Sequence, residues 1–397
     1  MADKVIPVTD GKKKKSWAKQ VSKGFFNTQG GIDMPFFILL VVILVIGLAT
    51  LYSASHVYAF NYQDGNSYYY IVRQLLFAVA GFVAMFIISL IDYRKWHYFA
   101  FPLWIASILL LIAALVTPSS TGVHRWIRLP GLGQFQPSEI AKFALVLLFA
   151  HLISINYKKM KTFRGLIPFY VILAITCGLV VIEPHLSGTI LLAALGMVMI
   201  FIGGGHLGWV LGTVGVGVAG VAFFLFSGLY ESDRIAVWTN PLGVFTSGWD
   251  GRSQAWQTVQ SLYAIGSGGL LGQGPGNSRQ KHLFLPEPQN DFIFSIFCEE
   301  MGWVGAVVVV LLFAALVWRG FYIGLNAPDK FGCLLAIGLT AQIGIQVALN
   351  IAVVSNLMPN TGISLPFFSY GGTSLMMLLG EMGVVLSVSR QSRIQKR

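Results

Sequence analysis

Apolar runs long enough to cross a bilayer recur from residue 35 to residue 389, parted by short polar breaks. A membrane helix needs about 20 mostly apolar residues. Runs of that kind fall near 35–54, 70–91, 97–117, 137–156, 166–182, 187–204, 207–227, 291–318, 331–355 and 366–389. Strict alternation of apolar and polar positions, the mark of a membrane β-barrel, is absent. The pattern therefore predicts an all-α, polytopic helical bundle of about ten transmembrane helices. Only EPHLS separates the fifth and sixth spans, and only GGGH the sixth and seventh. The connection 228–290, between spans seven and eight, is far longer than any other and shows no obvious regular structure. A loop of that length is usually functional.

Composition agrees: of 397 residues 55% are hydrophobic and 11% charged, with a mean hydropathy of +0.70. A soluble domain cannot hide that much apolar surface. The net charge of +11 suggests nucleic acid until its placement is traced. Seven lysines precede residue 24, and further basic clusters are Arg94/Lys95, KKMKTFR (158–164), Arg319/Lys330 and the terminal RQSRIQKR. With ten spans all of these fall on one side, so the positive-inside rule puts both termini in the cytoplasm and argues against a nucleic-acid partner. The chain divides into a lysine-rich tail (1–34), a membrane domain (35–389) holding the large extracytoplasmic loop, and a basic C-terminus (390–397). The first span lacks a small-residue cleavage site and reads as an uncleaved anchor. The KKKK run meets anionic lipid headgroups or a partner, or is a solvated tail. Cys177, Cys298 and Cys333 match no metal or disulfide spacing and read as packing residues.

Sixteen acidic residues are few for this length, and eight lie on the extracytoplasmic side, among them Glu139, Glu183, Glu287 and Asp291. Asp291 stands at the mouth of the eighth span in FLPEPQNDFIF (284–294). Asp291 or Asn290 there either caps the helix or faces substrate, and the helix dipole favours the ionised carboxylate. Pro286 and Pro288 flank Glu287, which suits a loop-shaping role. Gln342, Gln346 and Asn350 recur every four residues as one polar stripe in the ninth span. With Glu381 and with Glu299/Glu300 that stripe lines a central cavity, or it serves interhelical hydrogen bonds. GSGGLLGQGPG (266–276) puts six glycines in eleven residues without a following GKS or GKT. SYGGTS (369–374), with Ser369 and Gly371 after Pro366, should break the start of the last span; irregular backbone at membrane depth suits a cavity wall.

Three segments, RWIRLPGLGQFQPSEIAK (125–142), AIGSGGLLGQGPGNSRQKHLFLPEPQNDFIF (264–294) and NTGISLPFFSYGGTS (360–374), resemble the SEDS family, the FtsW, RodA and SpoVE proteins of bacterial cell-wall synthesis. The resemblance covers nearly the whole chain after the tail. The wording SRQK…LPEPQ…DFIF is nearer the FtsW/SpoVE branch. Membership implies a peptidoglycan glycosyltransferase in the bacterial cytoplasmic membrane. Such an enzyme polymerises lipid II on the outer face, beside a class B penicillin-binding protein and, in division, other divisome proteins. The family's essential aspartate corresponds to Asp291, which would act as general base in an inverting transfer with undecaprenyl diphosphate leaving.

The departing diphosphate needs cations. Arg279 and Lys281 lie nearest Asp291 along the chain and are first choices; Arg73, Arg125, Lys142, Arg234 and Arg252 are the others. Lys142, three residues after Glu139, either binds substrate or forms an ordinary ion pair. No all-protein metal cage is visible, and a divalent cation, magnesium or manganese, is left open. Many relatives carry an acid in the fifth-to-sixth turn where this chain has His185 in EPHLSGT; Glu183 remains to support the site. The rival reading is a lipid II flippase, against which stand the lack of paired half-repeats and the concentration of polar residues in one loop. A scaffold acting through the tail is a third.

Overall fold

A computed structural model describes residues 30–117, 125–129, 133–183, 185–226, 232–243 and 252–392. The lysine-rich tail before residue 30 and the last five residues lie outside them, as do the side chains of Arg234 and Arg252. The helices are α1 (Met34–Tyr62), α2 (Tyr69–Leu90), α3 (Ala100–Val116), α4 (Pro137–Asn156), α5 (Phe163–Ile182), α6 (Leu186–Ile202), α7 (Leu207–Phe226), α8 (Ser232–Thr239), α9 (Arg252–Ser267), α10 (Ile293–Leu325), α11 (Lys330–Val354) and α12 (Gly372–Gln391). Among the described residues eight helical segments are long and apolar enough to cross a membrane, and Leu186–Ile202 and Leu207–Gly220 are shorter apolar helices. An antiparallel hairpin, β1 (Ile127–Leu129) with β2 (Gly133–Phe135), pairs Ile127 with Phe135 and leads into α4.

Burial separates centre from rim. The most apolar windows of α4 and α11 are both 72% buried and that of α12 is 67%, whereas those of α1, α2, α3, α5 and α10 are 22–39% buried. The central three are also the least apolar, with hydropathies of 1.4–1.8 against 2.3–2.9 for the rim. Lipid accepts only apolar side chains, so the polar groups of this chain collect where helices face helices.

At the end where α1 begins, charged side chains tie the helices together. Asp33 accepts Phe36 N at 3.0 Å as the α1 cap, with Pro35 in the first turn. Its carboxylate also takes both Nε and Nη2 of Arg319 at 2.9 Å, and its own N–H reaches Ser389 Oγ at 3.1 Å. Arg94 Nε donates to Asp329 at 3.0 Å nearby. These bonds join the ends of α1, α10 and α12, and tie the turn between α2 and α3 to the start of α11.

Several predicted boundaries are corrected. The first helix runs eight residues past residue 54, to Tyr62. The last begins at Gly372 rather than 366, because residues 366–371 form turns after Pro366. The long loop is not without regular structure: it carries α8 and the sixteen-residue α9.

The eighth span is longer than expected and broken inside. Gly302 sits at φ 66°, ψ −169° within α10, so the helical ladder stops and restarts. The glycine-rich segment fills the gap: Gln273 N donates to Glu299 O (2.9 Å) and Gly274 N to Glu300 O (3.0 Å), while Trp303 N reaches Gly269 O (2.9 Å) and Val304 N reaches Leu270 O (3.1 Å). A Cβ at Gly302 would meet Gly272 N at 2.3 Å, so both the dihedral and the close approach require glycine.

Candidate active site

At the end of the bundle where α1 finishes and α4 starts, a cavity of about 660 Å³ opens. Asp291, Glu287, Arg73, Arg125, Glu139 and Lys142 share its wall with His185, Gln346 and Gly371. Tyr58, Tyr69, Tyr70 and Tyr370 supply an aromatic side; Tyr70 and Tyr370 meet edge-on at 4.8 Å.

Asp291 is held from the back. Asn350 Nδ2 donates to the Asp291 main-chain oxygen at 2.8 Å and to Ile363 O at 2.6 Å. Tyr370 N donates to Gln289 O at 2.8 Å, so residues 289–291 are stitched to the irregular segment before α12. The carboxylate lies against Gly362, where a Cβ would come within 3.2 Å of Oδ2 and φ is +66°. Neither Asp291 nor Asn290 caps α10: the cap position is Phe292, without a side-chain bond, and Asn290 Nδ2 donates to Glu287 Oε2 at 2.8 Å instead. Burial pushes the Asp291 carboxyl up to about 6, with the Arg125 guanidinium opposing the rise and Glu287 adding to it. This corrects the expectation that a helix dipole sets its charge; desolvation wins. A carboxylate of that basicity is still mostly ionised at neutral pH and accepts a proton more readily than an ordinary one.

The cations come from elements distant in sequence. Lys142 Nζ lies 2.8 Å from Glu139 Oε1 and 3.0 Å from Gln346 Oε1, and Ser374 Oγ donates to Glu139 Oε2 at 3.1 Å. Lys142 and Glu139 are 4% and 7% exposed, so this is a buried pair on a cavity wall rather than a surface one. Arg125 Nε donates to Glu183 O at 3.1 Å. The Arg73 guanidinium carbon stands 4.2 Å from the centre of the Tyr69 ring.

Arg279 and Lys281, the first choices from sequence, are elsewhere. Lys281 Nζ is buried against Glu300 Oε1 (3.1 Å), Ser53 Oγ (3.1 Å) and Gly276 O (2.5 Å). Glu299 accepts Ser278 Oγ at 2.5 Å and the main-chain N–H groups of Arg279 (3.1 Å) and Gln280 (3.2 Å). The Arg279 residue is exposed and off the cavity wall. SRQK is thus a staple that fixes the glycine-rich segment to α10. The missed signal was the Glu299/Glu300 pair itself: two carboxylates inside a span need partners, and Lys281 is near in sequence.

The polar stripe divides three ways. Gln342 Nε2 donates to Glu381 Oε2 at 2.9 Å in the bundle interior, Gln346 reaches both Lys142 and Ser364 O (3.0 Å), and Asn350 holds the Asp291 backbone. Glu381 and Gln342 are buried off the cavity wall. Ser369 Oγ accepts Leu365 N at 2.8 Å, and Gln74 binds Ser369 O and Gly371 N at 3.2 Å each, shaping the break before α12. Glu183, at the end of α5, is fully buried, and burial pushes its carboxyl up to about 8 against the pull of Arg125. Among the described residues no cluster of three or more metal-ligating side chains gathers. The tyrosine wall and His185 had no place among the predicted site residues.

The sequence and the fold find counterparts among known proteins. The model of the FtsW/RodA/SpoVE cell cycle protein family matches residues 34–394. Stage V sporulation protein E of Bacillus subtilis (strain 168) is 40% identical over 91% of this chain and 98% of its own length. A probable peptidoglycan glycosyltransferase FtsW of Geobacter sp. (strain M18) is 36% identical over 91% of this chain and 98% of its own. Among solved structures, a chain of a peptidoglycan synthase complex that coordinates polymerization and crosslinking superposes with a TM-score of 0.73 at 26% identity, covering 90% of this chain and 98% of that one. The rod shape determining protein RodA of Thermus thermophilus gives 0.66 at 26% identity, covering 91% and 98%. The chain belongs to the FtsW/RodA/SpoVE family, and is a multi-pass membrane protein.

Proposed function

We propose that the cavity is a peptidoglycan glycosyltransferase site that polymerises lipid II, with Asp291 as general base. One observation carries the reading: a half-buried carboxylate, backed by Asn350, shares a wall with three cationic side chains, Arg73, Arg125 and Lys142. Chain growth joins a sugar hydroxyl to an anomeric carbon while a lipid diphosphate leaves. The hydroxyl is a poor nucleophile near neutral pH, and a positioned base is worth ~100- to 10,000-fold. Asp291 takes the hydroxyl proton as the new C–O bond forms; the bond from the anomeric carbon to diphosphate breaks on the opposite face, inverting the centre. Arg125 and Lys142 meet the negative charge that develops on the leaving group.

The excess of lysine and arginine at the other end of the bundle supports an extracytoplasmic cavity with both termini cytoplasmic. The similarity to a chain of a peptidoglycan synthase complex supports a transpeptidase partner, and that to stage V sporulation protein E and FtsW supports septal or spore wall synthesis.

The test is polymerisation of labelled lipid II by the purified chain with its transpeptidase, read on gels. Asp291→Asn should fold and lose at least about 100-fold in rate. The parent's rate should rise with pH through a limb centred near 6, because the base works only when ionised. Full polymerisation by Asp291→Asn overturns the assignment; lipid II translocation in vesicles that survives the substitution would favour a flippase.

A further inference from the structure

His185 stands where the wall of the cavity turns from α5 into α6, and the reaction above gives it no task. The residue is 8% exposed yet belongs to the cavity wall. Gln136 Nε2 lies 3.3 Å from its Nδ1; an amide nitrogen only donates, so Nδ1 accepts and the neutral ring carries its proton on Nε2. Gly188 makes room, since a Cβ there would come within 2.6 Å of Nδ1. The charged groups around the ring are Arg125 from the segment before β1, Lys142 from α4 with its partner Glu139, Glu183 two residues earlier, and Asp291 across Gly362. Burial first, then Arg125 and Lys142, hold the imidazole far below its ordinary range, at about 3. A buried neutral ring sharing a cavity wall with two cations describes a place that favours negative charge. A phosphate group brings about 1.5 to 2 negative charges. Its attraction for an imidazolium offsets the cost of burying that charge as well as the repulsion from the two cations, and so moves the ring back toward a pH range where it binds a proton.

We propose that His185 is a proton-linked anion contact: neutral in the empty cavity, it takes up one proton on Nδ1, the Gln136 amide turning its oxygen to that proton, as a diphosphate settles between the ring, Arg125 and Lys142. The anion's identity rests on the proposed function; the linkage rests on the cavity. Binding gains a third cation only when the anion is present, so affinity rises as pH falls.

The experiment is isothermal titration calorimetry of the full chain in nanodiscs with farnesyl diphosphate, at pH 5.5 and 7.5, in two buffers of different ionisation heat. An Asp291→Asn, Glu183→Gln background removes the two other groups near the ring that titrate in or beside this range. A bound ring near the usual histidine value of about 6.5 gives close to one proton taken up at pH 5.5 and about tenfold tighter binding than at pH 7.5. His185→Gln in the same background should lose that proton and the pH dependence beyond the ligand's own; His185→Lys should bind with a fixed cation at both pH values. Equal uptake with and without His185 overturns the proposal. So does no uptake in the His185-containing chain, a result that stands even where the Gln variant fails to fold. Proton-linked binding in this background, with an Asp291-containing parent that never extends a glycan, would sink the glycosyltransferase reading alone. Glycan synthesis without His185-dependent uptake would sink this inference alone.

Discussion

Lys142 and Glu139 allow a structural ion pair to be separated from a substrate contact. Both are nearly buried, 2.8 Å apart, and the lysine has Gln346 as its other partner. Lys142→Met removes the charge that Glu139 faces and leaves its carboxylate, among the described residues, with the Ser374 hydroxyl. An uncompensated buried charge costs about 3–5 kcal/mol. Removing both charges, with Lys142→Met and Glu139→Gln together, should bring stability back to within about 1 kcal/mol of the parent, because neutral replacements of buried pairs are often tolerated. Activity should not come back. A lost contact to charge that develops in the transition state costs about 2.7–4 kcal/mol, or 100- to 1,000-fold. Thermal melts in detergent give the first quantity and lipid II polymerisation the second. If the double variant melts like the parent and polymerises within about threefold of it, Lys142 is a counter-ion and the diphosphate role is wrong.

Asn350→Leu removes both bonds that hold Asp291 O and Ile363 O, a loss of about 2–4 kcal/mol counting the orphaned carbonyls; kcat should fall tenfold or more with KM steady, and a lowered melting point with unchanged kcat would refute a positioning role. Gly302→Ala puts a Cβ 2.3 Å from Gly272 N at a glycine-only dihedral, whereas a Cβ at Gly178 meets nothing within 4 Å. The first should abolish folded yield in size-exclusion chromatography and the second should not; equal yields would refute the broken-helix geometry. Glu183 titrates at about 8 in the fold against an ordinary 4.5, so the folded protein binds more protons than the unfolded chain between those values. Stability of the parent should therefore fall relative to Glu183→Gln as pH rises from 5 to 8 and level off above, and a melting-point gap that stays constant would rule this out.

The spans were legible because lipid leaves a crude signature: long apolar runs between polar breaks. What hydropathy misses is what lipid does not touch. The helix α9 is mixed in polarity, yet Ala255, Thr258, Val259 and Ala264 are buried at helical spacing, a period that a search for 20-residue apolar runs passes over. Gly302 looks like any of 44 glycines, because periodicity carries no dihedral. At the site, Asp291 was legible from charge scarcity and family resemblance, and Lys142 and Arg125 entered as candidates. Their ranking failed where distance along the chain stood in for distance in space. Lys281 is ten residues from Asp291 yet turned into the α10 staple, while Lys142 reaches the cavity from α4. His185 was noticed as a departure from relatives, but its surroundings come from α4 and from residues before β1, which only the fold brings together.

The break in α10 bears on how the chain is made. Four backbone groups of that span are satisfied by residues 269–274 rather than by the helix itself. Left unmet in hydrocarbon, each would cost several kcal/mol. Synthesis runs from the N-terminus, so the segment that meets them has already emerged when the helix follows. A rearranged gene that translated residues 293–325 before 269–274 would ask the insertion machinery to release into lipid a span whose partners did not yet exist.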